Sequence, residues 1–138
     1  GFIGSPQMNF VDAKVVVEGS KAGLKFDNYT FELPAEKAKK VIDGGYAGKT
    51  VVMGIRPEDI SDDAELLAKN SAYVIESDVT GYELLGAEVM LYFSVGGANM
   101  SCRVASDTTA RYGDHIKLAF DPTRIHVFDK ETELTITN

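Results

Sequence analysis

A chain of 138 residues, 44% hydrophobic and 25% charged, suits one domain with a core of its own. It holds no apolar run near the ~20 residues that a bilayer-spanning helix needs. A formal net charge of −7 with the bases scattered excludes a nucleic-acid binder of the usual kind, whose Lys and Arg cluster against phosphates. The one cysteine, Cys102, excludes an internal disulfide and fits a reducing cytosol.

In chain order, residues 1–6 carry no charged leader, and Phe2 and Ile3 precede any element they could pack on, as in a piece cut from something longer. Val11, Ala13, Val15 and Val17 alternate with Asp12 and Lys14, which predicts a strand. Gly19 to Gly23 links it to the next. Tyr29, Phe31 and Leu33 alternate with Thr30 and Glu32. A helix follows: Pro34 suits its first position, Ala38, Val41 and Ile42 form its stripe, and Gly44 ends it in a left-handed conformation. Thr50 to Ile55 is nearly all apolar, as in a strand covered on both faces.

Ser61 to Lys69 predicts a second, shorter helix with Leu66 and Leu67 inward. Tyr73, Ile75 and Val79 continue the strand theme. Val89, Leu91, Phe93 and Val95 then face away from Glu88, Tyr92 and Ser94, and Met100, Cys102 and Val104 away from Ser101 and Arg103. Gly96-Gly97 between these two runs predicts a hairpin turn. Tyr112-Gly113-Asp114 and Asp121-Pro122 are further turns. Ile116, Leu118 and Phe120 oppose His115 and Lys117, and Ile125 and Val127 oppose Arg124 and His126. About eight to ten short strands with one or two brief helices predict an all-β barrel or sandwich.

Gly44 to Thr50 resembles a phosphate-binding loop, but Asp43 stands where the first glycine belongs, and the order is helix, loop, strand. His115 and His126 fall on polar faces, and Cys102 falls among apolar neighbours, where a small inert thiol belongs. No metal site converges. Glu58, Asp59, Asp62, Asp63 and Glu65 read as solvated loop charge, and no nucleophile, base and orienter are brought together. Tyr29, Tyr82, Tyr92 and Tyr112 could stack bases, but the acidic balance removes the electrostatic half of such binding.

Four segments carry a resemblance: residues 1–10; Gly54-Ile55-Arg56-Pro57-Glu58-Asp59-Ile60; Glu83-Leu84-Leu85-Gly86-Ala87-Glu88; and His126 to Glu133. In this order and spacing they resemble the C-terminal part of maltose- and multiple-sugar-type ABC transporter ATP-binding proteins. The resemblance implies one regulatory and dimerisation domain over 1–138, an OB-like barrel of the transport-associated type. The nucleotide-binding domain, with its ATP and magnesium, would lie ahead of Gly1, so this chain would hold no cofactor and catalyse nothing. Its partners would be a second copy of the same subunit, the membrane subunits reached through the nucleotide-binding domain, and a regulatory protein. The setting would be the cytoplasmic face of the cell membrane.

The same resemblance places a regulatory face around Phe10, Gly48, Gly54 and Glu83, with surface glycines admitting a partner's backbone. Arg56 either clamps a carboxylate, Glu58, Glu83 or Glu88, or simply ends a strand beside Pro57 and Glu58. A second reading is an oxyanion sensor, like related barrels of molybdate systems, using Ser106, Thr108, Thr109 and Arg111.

Overall fold

The first alternating run forms the longest strand, β1 (Asn9–Glu18), in a computed structural model that describes residues 7–138. The segment 1–6, part of the resemblance above, lies outside the described residues. Val11, Ala13 and Val15 are buried, but Val17 is 37% exposed. The alternation fails there because pairing with β4 (Thr50–Ile55) stops at Lys14, so the end of β1 has a neighbour on one side only. The chain turns back at Gly19 and Ser20 into β2 (Lys21–Phe26), which takes Gly23 into the strand rather than the turn. β3 (Tyr29–Glu32) follows after two residues.

The predicted helix is α1 (Ala35–Asp43). Pro34 caps it from extended backbone instead of occupying the first turn. Gly44 stays right-handed, and Gly45 at φ +80° makes the left-handed step. The Gly45 N–H donates to the Ile42 carbonyl at 3.0 Å and the Tyr46 N–H to that of Val41 at 3.2 Å, a Schellman ending one residue later than the sequence suggested. Tyr46 then turns the chain into β4, whose Val51 to Ile55 are all buried.

Beyond β4, a 3₁₀ turn (Pro57–Asp59) leads to β5 (Ile60–Ser61) and α2 (Ala64–Lys69). Ser61 belongs to the strand, and Asp63 starts the helix by accepting from the N–H groups of Glu65 and Leu66. At six residues α2 is too short to build a buried stripe: Leu66 is 37% exposed and Leu67 half-buried. There follow β6 (Val74–Asp78), β7 (Gly81–Leu85), β8 (Glu88–Val95), β9 (Ala98–Ala105), β10 (His115–Phe120), β11 (His126–Asp129) and β12 (Thr135–Thr137). Gly96 and Gly97, both at positive φ, close the β8–β9 hairpin as predicted.

These strands form three antiparallel sheets: β12-β11-β4-β1-β2-β3, β5-β10-β6 and β7-β8-β9. The all-β expectation with two short helices holds, but the sheets do not close into one hydrogen-bonded barrel. Side chains span the gaps. Asn9 at the head of β1 donates from Nδ2 to the Ser101 carbonyl and accepts the Ser101 N–H at Oδ1, both at 2.8 Å, which imitates a ladder pair between β1 and β9. The Glu76 N–H donates to the Tyr29 hydroxyl oxygen at 3.0 Å, and Ser77 Oγ donates to the Ser94 carbonyl at 2.6 Å. Inside, Phe31 meets Phe26, Tyr73 and Phe120 edge-on at 4.8, 5.3 and 5.3 Å, tying the first sheet to the second.

Candidate functional site

Phe10, Gly54 and His126 form one row across β1, β4 and β11 on the outer face of the six-stranded sheet. Phe10 is half-buried and meets Phe128 edge-on at 5.8 Å, while His126 stacks on Phe128 at 6.3 Å. Gly54 is buried under this row. A Cβ added there would lie 2.5 Å from Met8 Sδ and 2.8 Å from the Phe128 ring. Its missing side chain therefore makes room for the chain's own Met8 and Phe128, where the sequence suggested room for a partner's backbone. Gly48, by contrast, is exposed in the turn before β4, at φ +76° and with open space around it. Its N–H donates to the Val15 carbonyl at 2.9 Å.

Arg56 and Glu58 flank the end of β4, Arg56 half-buried and Glu58 exposed on the 3₁₀ turn. The expected clamp on Glu58, Glu83 or Glu88 is not made: among the described residues no carboxylate lies within ion-pair distance of Arg56. Pro57 turns the chain so that Glu58 faces water, and Glu83 belongs to β7 in another sheet, where it accepts the Tyr92 hydroxyl. The structure thus brings Phe10, Gly54, Arg56 and Glu58 to one end of β4. Gly48 stands at the other end and Glu83 in a separate sheet.

The phosphate-loop resemblance fails on geometry. The N–H groups of Gly44, Gly45, Tyr46, Gly48 and Lys49 donate to the carbonyls of Lys40, Ile42, Val41, Val15 and Tyr46, so none of these five is free to cradle a phosphate. Two of the four oxyanion candidates, Thr108 and Arg111, are likewise engaged. Thr108 Oγ1 donates to Asp62 at 2.6 Å, Arg111 Nη1 donates to the Thr108 and Ala110 carbonyls, and the Arg111 guanidinium covers the Tyr82 ring at 5.0 Å. The Asp62 carboxylate, from the turn before α2, and the Asp114 carboxylate of the same loop would repel an anion.

Burial pushes the Cys102 thiol up to about 12, with the Asp62 charge adding to it, so the thiol stays protonated. His115 lies between Asp78 at 2.8 Å and Glu76 at 3.3 Å, whose hydrogen bonds hold its pKa above the usual value. His126 goes the other way: burial lowers its pKa, and Arg56, Lys37 and Arg124 push it further down, against a hydrogen bond with Asn138. No three His, Cys, Asp or Glu residues among those described converge as metal ligands. The tyrosines make no platform either, since Tyr82 and Tyr92 occupy opposite faces of the β7–β8–β9 sheet and Tyr112 projects from a loop.

Sequence reasoning missed Arg124, which ends a 3₁₀ turn (Pro122–Arg124) just ahead of β11, and Lys37, which is buried and donates to the Asn138 carbonyl. Only the β4–β11 pairing, between strands far apart in the chain, brings the turn that holds Arg124 to the end of β4.

Comparison with known proteins bears on the whole chain. The MalK OB fold domain matches residues 4–60 and the TOBE domain residues 53–128. The oligosaccharides import ATP-binding protein MsmX of Bacillus subtilis is 35% identical over 99% of this chain, and the multiple sugar-binding transport ATP-binding protein MsmK of Streptococcus mutans is also 35% identical over 99%. A putative ABC transporter ATP-binding protein of Escherichia coli K12, YcjV, is 41% identical over 99%. The chain spans only about a third of each, 36%, 35% and 35%. Among solved structures, the cytoplasmic molybdate-binding protein ModG superposes with a TM-score of 0.62 at 12% identity, over 91% of this chain and 96% of that one, a likeness of fold alone. With an OB-type arrangement of strands and a TOBE match over more than half its length, the chain belongs to the TOBE domain family and is similar throughout to the corresponding part of sugar-import ABC ATP-binding proteins.

Proposed function

We propose that the chain serves as the accessory regulatory and dimerisation domain of the ATP-hydrolysing subunit of a carbohydrate ABC importer, and does no chemistry itself. One observation carries this reading: the chain aligns over nearly its full length with sugar-import ATP-binding proteins, yet accounts for only about a third of each. ATP and magnesium would belong to a nucleotide-binding domain outside it. That domain would contact the membrane subunits and hold the assembly at the cytoplasmic face of the membrane. A second copy of the subunit and a regulatory protein would meet this one. The donor-depleted turn at Gly44–Thr50 supports the absence of nucleotide binding. The likeness to ModG favours an oxyanion sensor by fold only, and the occupied donors of Thr108 and Arg111 count against it.

The test is a chimera of MsmX with its matching third replaced by this chain. It is expected to dimerise and to restore oligosaccharide import in a strain lacking MsmX, whereas MsmX truncated of that third does not. A folded chimera that hydrolyses ATP but behaves like the truncated protein overturns the reading.

A further inference from the structure

We propose that the cleft between the turn over residues 46–50 and the turn over residues 129–131 binds a neutral sugar, a mono- or disaccharide seated against the Tyr46 ring. The cleft has a volume of about 450 Å³ and is lined by Tyr46, Lys49, Thr50, Asp129, Lys130 and Glu131. Small-molecule sites run from ~300 to ~1,000 Å³. Strand pairing puts the two turns side by side: Asp129, the last residue of β11, lies opposite Val51, the second residue of β4.

Both walls are fixed by the chain's own contacts. The Tyr46 ring packs against the main core, and Gly44 makes room for it: a Cβ at Gly44 would lie 2.8 Å from Tyr46 Cε2. The Tyr46 hydroxyl donates to Asp129 Oδ2 at 2.7 Å, which ties the two turns together across 83 positions of chain. Asp129 Oδ1 accepts the N–H groups of Glu131 and Thr132, both at 2.9 Å. The Thr132 N–H first, and then the Tyr46 hydroxyl, hold the Asp129 carboxyl below the usual carboxylate range, so it stays charged. On the facing wall the Gly48 N–H donates to the Val15 carbonyl and the Val15 N–H to the Lys49 carbonyl, both at 2.9 Å, which locks that turn to β1. A cleft held open in this way costs a ligand little ordering.

The lining decides the class of ligand. Its two lysines and two carboxylates cancel in charge, so neither an anion nor a cation is favoured. Lys130 is already paired with Asp12 at 2.5 Å, and Asp129 with Tyr46. Among the described residues no Val, Leu, Ile, Met or Phe lines the cleft, which leaves an oily ligand nothing to pack on. Lys49, Thr50 and Glu131 are exposed and supply hydrogen-bond donors and acceptors together. The one apolar surface is the Tyr46 ring, with the Lys49 ammonium 5.9 Å from its centroid. A ligand matched to this is uncharged, carries many hydroxyls and has one flat C–H face for the ring, as a pyranose does. Such recognition is separate from the assembly role proposed above.

Proton–nitrogen NMR of the chain would follow its backbone amides during titration with glucose, maltose, glycerol and glucose 6-phosphate at one ionic strength. Glucose or maltose should shift the Thr50, Glu131 and Thr132 amides saturably, with a dissociation constant on the order of 1 mM, and leave the Ser101 amide unmoved. Lys49→Ala and Glu131→Ala change exposed side chains and should keep the melting temperature. Each should weaken binding at least about threefold, the loss of one hydrogen bond, and the two together should abolish it. Four results overturn the proposal: no saturable shift with either sugar up to about 50 mM, equal shifts with glycerol, tighter binding of glucose 6-phosphate than of glucose, or a folded double variant that binds as the parent chain does.

Discussion

Gly54 shows how much one missing methyl can decide. It lies at the middle of a row of three strands, and its empty position is filled by Met8 and the Phe128 ring. Met8 can swing away, but the ring is held between Phe10 and His126. Gly54→Ala should therefore cost about 1–3 kcal/mol, the range for overpacking a filled site. Denaturant melts would check this; a loss under about 0.3 kcal/mol would mean that the packing over Gly54 is loose. Gly54, Arg56 and Glu58 stood out in the sequence because they form a short ordered motif. What covers Gly54 did not, because Phe128 is 74 residues away in the chain and arrives only through the β4–β11 pairing.

The histidines illustrate the same scale with opposite signs. His126 is held below its ordinary value, so the unfolded chain binds its proton more readily. The contribution of this residue is intact above about pH 6.5 and is lost as pH falls toward the lowered folded value. His115 is raised by Asp78 and then Glu76, so its contribution is present below about pH 6.5 and is lost as pH rises through the folded value. His126→Gln should flatten the acid-side loss of stability, and His115→Gln should steepen it. Urea melts between pH 5 and 8 would show both. His115 and its partners are exposed, so added salt should shrink its part.

At the scale of elements, alternation of period two was legible in β8, which has neighbours on both sides, and in β4 the signal was instead a continuous apolar run buried on both faces. Alternation misled at Val17, where β1 outruns its partner. The helix ending was off by one residue because two glycines adjoin, and only the hydrogen bonds show which one turns left-handed. The bridging of sheets by side chains was not legible at all. Asn9 looks like an ordinary polar strand residue, yet it is 6% exposed and pairs with both backbone groups of Ser101, 92 positions on. Asn9→Ala would leave those groups unpaired at about 1–3 kcal/mol each. Asn9→Asp should be no better, since a carboxylate would face the Ser101 carbonyl that Nδ2 now serves. Amide exchange at Ser101 would speed up in both variants; unchanged protection would mean that water replaces the bridge.

For the whole molecule, three open sheets share one interior, and the family is carried by the match of the sequence along the chain. The resemblance of the ordered motifs located the chain in that family; local physics alone reached only an acidic all-β domain, because no residue types in the sequence stand at a spacing that specifies a reaction. Its proposed work is assembly, and assembly is measurable in the chain itself. At −7, pairing of two copies meets electrostatic repulsion that salt screens. Any gain in effective concentration from linked interfaces elsewhere in a subunit would not act on these 138 residues measured by themselves. Sedimentation equilibrium over concentration and salt should therefore find mainly monomer at micromolar concentration, moving toward a two-fold dimer as either is raised. A chain that remains strictly monomeric near millimolar concentration at high salt would contradict the dimerisation role.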